Sequence, residues 1–97
     1  MISAELVTLL IKTLADPTRR AVFERLAAGG EISVGDLVRG ATVSQPAISQ
    51  HLRALRAAGL VAERRVGRHV HYRAEPNGLA PLVDWISTHA AVWRDRW

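Results

Sequence analysis

Residues 44–55 read SQPAISQHLRAL. On a helical wheel Ile48, Leu52 and Leu55 fall within about 60° of one another and form an inward stripe. The opposite arc carries Gln45, Pro46, Ser49, Gln50, Arg53, Arg56 and Ala57. That arc offers two amides, a hydroxyl and two guanidiniums, and no carboxylate. Amides match adenine edges, guanidiniums match guanine or phosphate, and hydroxyls match either. The small polar start, Ser44-Gln45-Pro46, is the end that a groove-reading helix presents to base edges. A carboxylate on that face would cost affinity for phosphate.

Other chemistry-bearing residues give weaker signals. His69 and His71 stand two apart on one strand face, but two imidazoles do not complete a metal site, and no cysteine or carboxylate is spaced to finish it. His51 lies beside the apolar stripe and reads as a half-buried helix residue. Trp85, His89, Trp93 and Trp97 form an i,i+4 ladder that reads as packing, with an aromatic ligand pocket as the less favoured use. There is no nucleophile elbow, phosphate-cradling loop or HExxH, and the carboxylates are scattered near helix starts. The chain reads as a non-enzyme that needs no metal and no cofactor.

These residues need elements to hold them. Leu6, Leu9, Leu10 and Leu14 are at helical spacing. Asp16-Pro17-Thr18 supplies an N-cap and a proline for the first turn of a second helix, with Val22, Phe23 and Leu26 inward and Gly29-Gly30 at its end. Ser33 followed by Asp36 has the capping-box pattern, and predicts a short third helix that stops at Gly40. The fourth helix starts at Ser44 or Gln45 and ends near Gly59. VAERRV and HVHYRA, separated by Gly67-Arg68, predict a hairpin with Val70, Tyr72 and Ala74 on one face. A last helix from about Leu79 carries Leu82, Val83, Ile86, Ala90 and Trp93. The third and fourth helices lie about four residues apart, as in a helix-turn-helix, and the hairpin is then a wing. The expected fold is mainly α (α+β), a winged helix-turn-helix in the order α-α-α-α-β-β-α, with residues 1–97 as one domain.

Charge agrees with that arrangement. The chain's net charge is +4, yet residues 44–73 alone hold six arginines and one acid, Glu63, a net +5. The excess positive charge therefore sits in the fourth helix and the wing, the footprint of a polyanion partner. Cysteine is absent, which excludes disulfides and thiolate chemistry. The apolar start, MISAELVTLLIKTLA, is interrupted by Glu5 and Lys12 and lacks a basic leader, so it reads as a helix rather than a secretory signal. No run reaches the roughly 18 apolar residues of a membrane span. The expected location is the cytoplasm, with no membrane partner.

The segments LADPTRRAVFERL (14–26), SVGDL (33–37), SQPAISQHLRALRAAGLV (44–61) and RRVGRHVHYR (64–73) together resemble the ArsR/SmtB family of small winged-helix repressors, over roughly residues 5–93. The resemblance implies a transcriptional repressor that binds an inverted-repeat operator in double-stranded DNA as a homodimer. It implies that Gln45, Ser49 and Gln50 approach bases. It also implies that the wing, Arg64 to His69, reaches the adjacent minor groove or backbone. Adding the charged and capping residues, the expected DNA-binding set is Ser44, Gln45, Pro46, Ser49, Gln50, Arg53, Arg64, Arg65, Arg68 and His69. The resemblance further implies an interface of first and last helices, here Leu6, Leu9, Leu10, Ile86, His89, Trp93 and Trp97. Two family sensing patterns fail in this chain. A Cys-Val-Cys pair is replaced by Ser33-Val34-Gly35, and Asp84 is followed two residues on by Ile86 rather than histidine. The chain therefore looks like a member of a subgroup without the usual metal-sensing sites, and any small-molecule or protein effector stays open. The competing reading is a winged-helix module whose basic surface meets RNA or an acidic protein. Two recognition helices about 34 Å apart in a dimer would separate the two readings.

Overall fold

A computed structural model describes the backbone of residues 3–94 and the side chains as far as Ala90. The elements are α1 (Ala4–Ala15), α2 (Pro17–Gly29), β1 (Ile32–Ser33), α3 (Val34–Arg39), α4 (Gln45–Ala57), β2 (Val61–Val66), β3 (His69–Ala74) and α5 (Ala80–Arg94). The sheet is antiparallel in the order β1-β3-β2. The fold is the expected winged helix-turn-helix with one addition. β1 pairs Ile32 with Tyr72 and Ser33 with His71, and so ties the start of α3 to the wing.

Local capping sets the path of the chain. Asp16 closes α1 and opens α2, its carboxylate accepting from the Arg19 amide at 2.9 Å. That bond holds its pKa below the ordinary carboxylate value. Ser33 accepts from the Asp36 amide at 3.1 Å, half of the expected capping box; the Asp36 carboxylate turns to Arg39 instead. The far end of α3 is capped from α2. Arg25 donates to the carbonyls of Leu37 and Asp36 at 3.0 and 2.9 Å, and so adds to the Gly40 amide, which also donates to Asp36 O, in satisfying the helix-end acceptors. Gly40 leaves room for that guanidinium, since a Cβ there would lie 2.5 Å from Arg25 Nη1.

The end of α4 directs the wing. The Leu60 amide donates to Leu55 O and the Gly59 amide to Arg56 O, both at 3.0 Å, with Gly59 at φ 77°. This is a Schellman ending, and Leu55 and Leu60, its apolar pair, are fully buried. The chain then turns directly into β2, so the hairpin folds back beside α4.

The core is built from Leu10, Leu26, Leu37, Ile48, Leu52, Leu55 and Leu60, all below 2% exposure. The leucine stripe of α1 corrects the expected interface. Val7, Leu10 and Thr13 face inward, with Thr13 satisfied by the Leu9 carbonyl at 2.7 Å. Leu10 is 0% exposed within its own chain and has no surface left to offer a partner. Leu6, Leu9 and Ile11 are the large apolar residues that α1 leaves exposed, beside Glu5, Thr8 and Lys12. On α5, Val83, Trp85 and Ile86 are likewise exposed, and the Trp85 and His89 rings lie 4.8 Å apart. The Trp93 side chain and all of Trp97, both expected at the interface, lie outside the described residues.

Candidate nucleic-acid interface

α4 divides as its periodicity requires. Ile48, Leu52 and Leu55 are buried, Ser49 is half-buried, and Gln45, Gln50, Arg53 and Arg56 are exposed. Ser44 is the N-cap, its hydroxyl 3.4 Å from the Ala47 amide, and Pro46 occupies the first turn. Both shape the helix start, while the side chains that follow offer the hydrogen bonds. His51 is half-buried, and its Nδ1 is buried with no hydrogen-bond partner among the described residues.

The hairpin brings its basic residues alongside. Val66 pairs with His69 across the two-residue turn Gly67-Arg68, with Gly67 at φ 60°. A glycine at the first turn position supplies the positive φ that matches strand twist. Val70, Tyr72 and Ala74 share the inward face, as expected, and His69 and Arg73 point outward.

Between α4, the wing and the start of α3 lies an open groove of about 670 Å3. From α4 it takes Gln45, Ser49, Arg53 and Arg56; from the wing, Glu63, Arg65, Arg68, His69 and Tyr72; from the α3 region, Ser33, Gly35 and Arg39. Five arginines border it with one carboxylate. The fold thus gathers Gln45, Ser49, Arg53, Arg65, Arg68 and His69 around one concavity. Gln50 stands exposed outside its rim.

Arg64 does not join them. Strand alternation puts it on the opposite sheet face from Glu63 and Arg65. There it grips Glu31, with Nε 2.8 Å from Oε1 and Nη2 2.6 Å from Oε2. The bond holds the Glu31 pKa below and the Arg64 pKa above their ordinary values. Its chemistry is spent on bracing the wing root against the loop after α2. Two of the groove arginines, Arg39 and Arg56, were absent from the expected site. Arg56 was visible on the polar arc of α4, whereas the approach of Arg39 depends on how α3 packs.

Glu63 sits low in the groove. Its Oε2 accepts from Tyr72 Oη at 2.9 Å and from Arg56 Nη1 at 3.2 Å, and Oε1 lies 3.6 Å from Arg65 Nε. Burial pushes the Tyr72 phenol pKa up, and the bond to Glu63 adds to the shift. Among the described residues no three histidine, cysteine, aspartate or glutamate side chains converge as a metal site would need. No helix of the described residues is long and apolar enough to cross a membrane.

Residues 14–64 match the family model described as a helix-turn-helix domain. The chain is 51% identical over 71 residues to the HTH-type transcriptional regulator Rv2034 of Mycobacterium tuberculosis, a match covering 73% of this chain and 65% of that protein. It is 31% identical over 77 residues to the transcriptional repressor SdpR of Bacillus subtilis, covering 79% of this chain and 84% of the repressor. Among solved structures, an ArsR-like transcriptional regulator from Rhodococcus sp. RHA1 superposes with a TM-score of 0.82 at 32% identity, over 95% of this chain and 86% of that one. The match therefore spans a little under two thirds of the mycobacterial relative's length and most of the other two.

Proposed function

Because the chain belongs to the ArsR/SmtB family of winged helix-turn-helix regulators, we propose that it is a DNA-binding transcriptional repressor that recognises an inverted-repeat operator as a homodimer. The observation that carries this reading is the groove between α4 and the wing, in which five arginines and the polar arc of α4 surround a single carboxylate. Phosphates supply affinity to the arginines, and base edges supply sequence preference to Gln45 and Ser49.

The dimer follows from the opposite side of the molecule. Leu6, Leu9 and Ile11 of α1 and Val83, Trp85 and Ile86 of α5 are large apolar side chains left exposed among the described residues, on two helices that pack together as a mixed apolar surface. A second copy related by a two-fold axis would bury it and present two α4 helices to successive turns of the duplex. Ser33 and Gly35 stand where a thiol pair would be needed to sense metal, and Ile86 where a histidine would be. Titrating zinc or arsenite into the protein–operator complex should leave its affinity within a few-fold.

The test is selection of bound fragments from genomic DNA, followed by a salt titration on the selected and a scrambled duplex. A repeated half-site and a steep salt dependence on both duplexes are the expected result. Equal affinity for the two duplexes, or preference for A-form RNA of the same length, would defeat the proposal.

A further inference from the structure

The groove's five arginines are not equivalent. Arg39 pairs with Asp36, and Arg56 and Arg65 both lean on Glu63. Arg53 on α4 and Arg68 at the wing tip make no ion pair among the described residues. The unpaired cations therefore stand on α4 and at the wing tip, while Arg56 and Arg65, though largely exposed, each reach back to the one carboxylate of the groove. Glu63 is itself well fixed. Its side chain is only 20% exposed, and the buried Tyr72 hydroxyl anchors it from the neighbouring strand.

We propose that Glu63 is a specificity-determining residue, which partly neutralises Arg56 and Arg65 within the groove and so limits how many phosphates any duplex can engage. The proposal rests on the reading of this groove as the DNA-binding surface. Non-specific affinity grows with each phosphate that a free cation neutralises. A carboxylate within the groove partly withdraws two such cations and repels a phosphate that would enter between them. Phosphates are then gripped by Arg53 and Arg68, which sets the register in which Gln45 and Ser49 meet base edges. Glu63 also links the last turn of α4 to both wing strands, so the spacing of α4 and the wing is held by the same group.

The experiment compares wild type, Glu63→Gln, Arg65→Gln and the double variant on the selected operator and on a random duplex across a salt series, with melting temperature as a folding control. Glu63→Gln should tighten random-duplex binding by about tenfold at low salt and steepen its salt slope by about 0.9 for each additional phosphate neutralised. Operator affinity should rise less, so discrimination falls. Arg65→Gln should weaken random binding more in the Glu63→Gln background than in the native one, because only there is the guanidinium free. Additive effects, or unchanged discrimination in Glu63→Gln, would overturn the proposal while leaving the groove's function intact. If wild type bound no duplex, the functional reading itself would fall. Should Glu63→Gln melt at the assay temperature, Arg65→Gln and Arg68→Gln decide the matter in the native background. Tethering predicts a smaller loss on random duplex for Arg65→Gln, and equal losses would refute it.

Discussion

α1 and α4 are both amphipathic helices that bury one stripe in the same core, yet α1 alone leaves large apolar side chains exposed. α4 turns Gln45, Gln50, Arg53 and Arg56 outward and no acid. α1 leaves Leu6, Leu9 and Ile11 exposed beside Glu5, Thr8 and Lys12, and α5, packed against it, leaves Val83, Trp85 and Ile86 exposed. A helix needs only its inward stripe to fold onto a domain. What it shows on the other side is free to be chosen, and carries the functional information. Large apolar side chains left exposed on two neighbouring helices ask for protein. A polar face cleared of carboxylates asks for a polyanion.

The sharpest test of this contrast lies in two neighbouring residues of α1. Leu10→Ala removes a fully buried side chain and should cost about 3 kcal/mol of stability, read as a lower denaturant midpoint with an unchanged m-value. Leu9→Glu should leave the fold of each subunit intact. It places a carboxylate in the proposed dimer seam and should weaken association by about 2 kcal/mol or more, read by sedimentation across a concentration series. If Leu9→Glu lowered the denaturant midpoint as much as Leu10→Ala while leaving association unchanged, α1 would have no separate outward role.

That pair also marks where the sequence was and was not legible. The α4 stripe and the hairpin were readable because their apolar residues occupy a narrow arc and a strict alternation. The leucines of α1 span a wide arc, and spacing alone does not say which half meets the core. Burial of Val7 and Thr13 rotates the inward stripe onto Leu10, and this depends on α2 and α5 packing against it. β1 left no trace because two residues cannot display a period. Arg64 lies away from the groove, and a signal for that existed. Counting back from the Gly67-Arg68 turn sets Glu63 opposite Tyr72, which puts Glu63 and Arg65 on the inner face and Arg64 on the outer one.

A smaller effect separates the two amides of α4. Gln45 lines the groove and Gln50 stands outside its rim. Gln45→Ala should cost about 1–2 kcal/mol on the operator and almost nothing on a scrambled duplex, as expected of a residue that reads a base. Gln50→Ala should cost less on the operator. Competition binding with single-base substitutions in each half-site checks both, and a larger specific loss for Gln50→Ala would move the reading surface beyond the groove. Arg68→Ala, by contrast, should weaken both duplexes and lower the salt slope by about 0.9 for each phosphate that the guanidinium would have neutralised.

The smallest effect concerns the face of the wing that looks away from the groove. If Arg64 braces the wing against Glu31, then Arg64→Gln should leave the salt slope of DNA binding nearly as it is, unlike Arg68→Ala. Its signature should instead appear in acid. The Glu31 carboxylate is held below its ordinary pKa chiefly by its hydrogen bonds from Arg64. The folded chain therefore binds fewer protons than the unfolded chain through the carboxylate range. The sign follows from linkage: this contribution is fully present above the unfolded glutamate pKa and is lost as pH falls through the lowered folded value. Removing Arg64 returns Glu31 toward its ordinary pKa and should flatten the fall of melting temperature with acid by a small amount, since the pair lies at the surface. Salt should shrink the same difference. A melting series from neutral to acidic pH on wild type and Arg64→Gln measures it. A steep loss of salt-dependent DNA affinity in Arg64→Gln, with parallel acid melting curves, would return Arg64 to the DNA-binding set and make the wing basic on both of its faces.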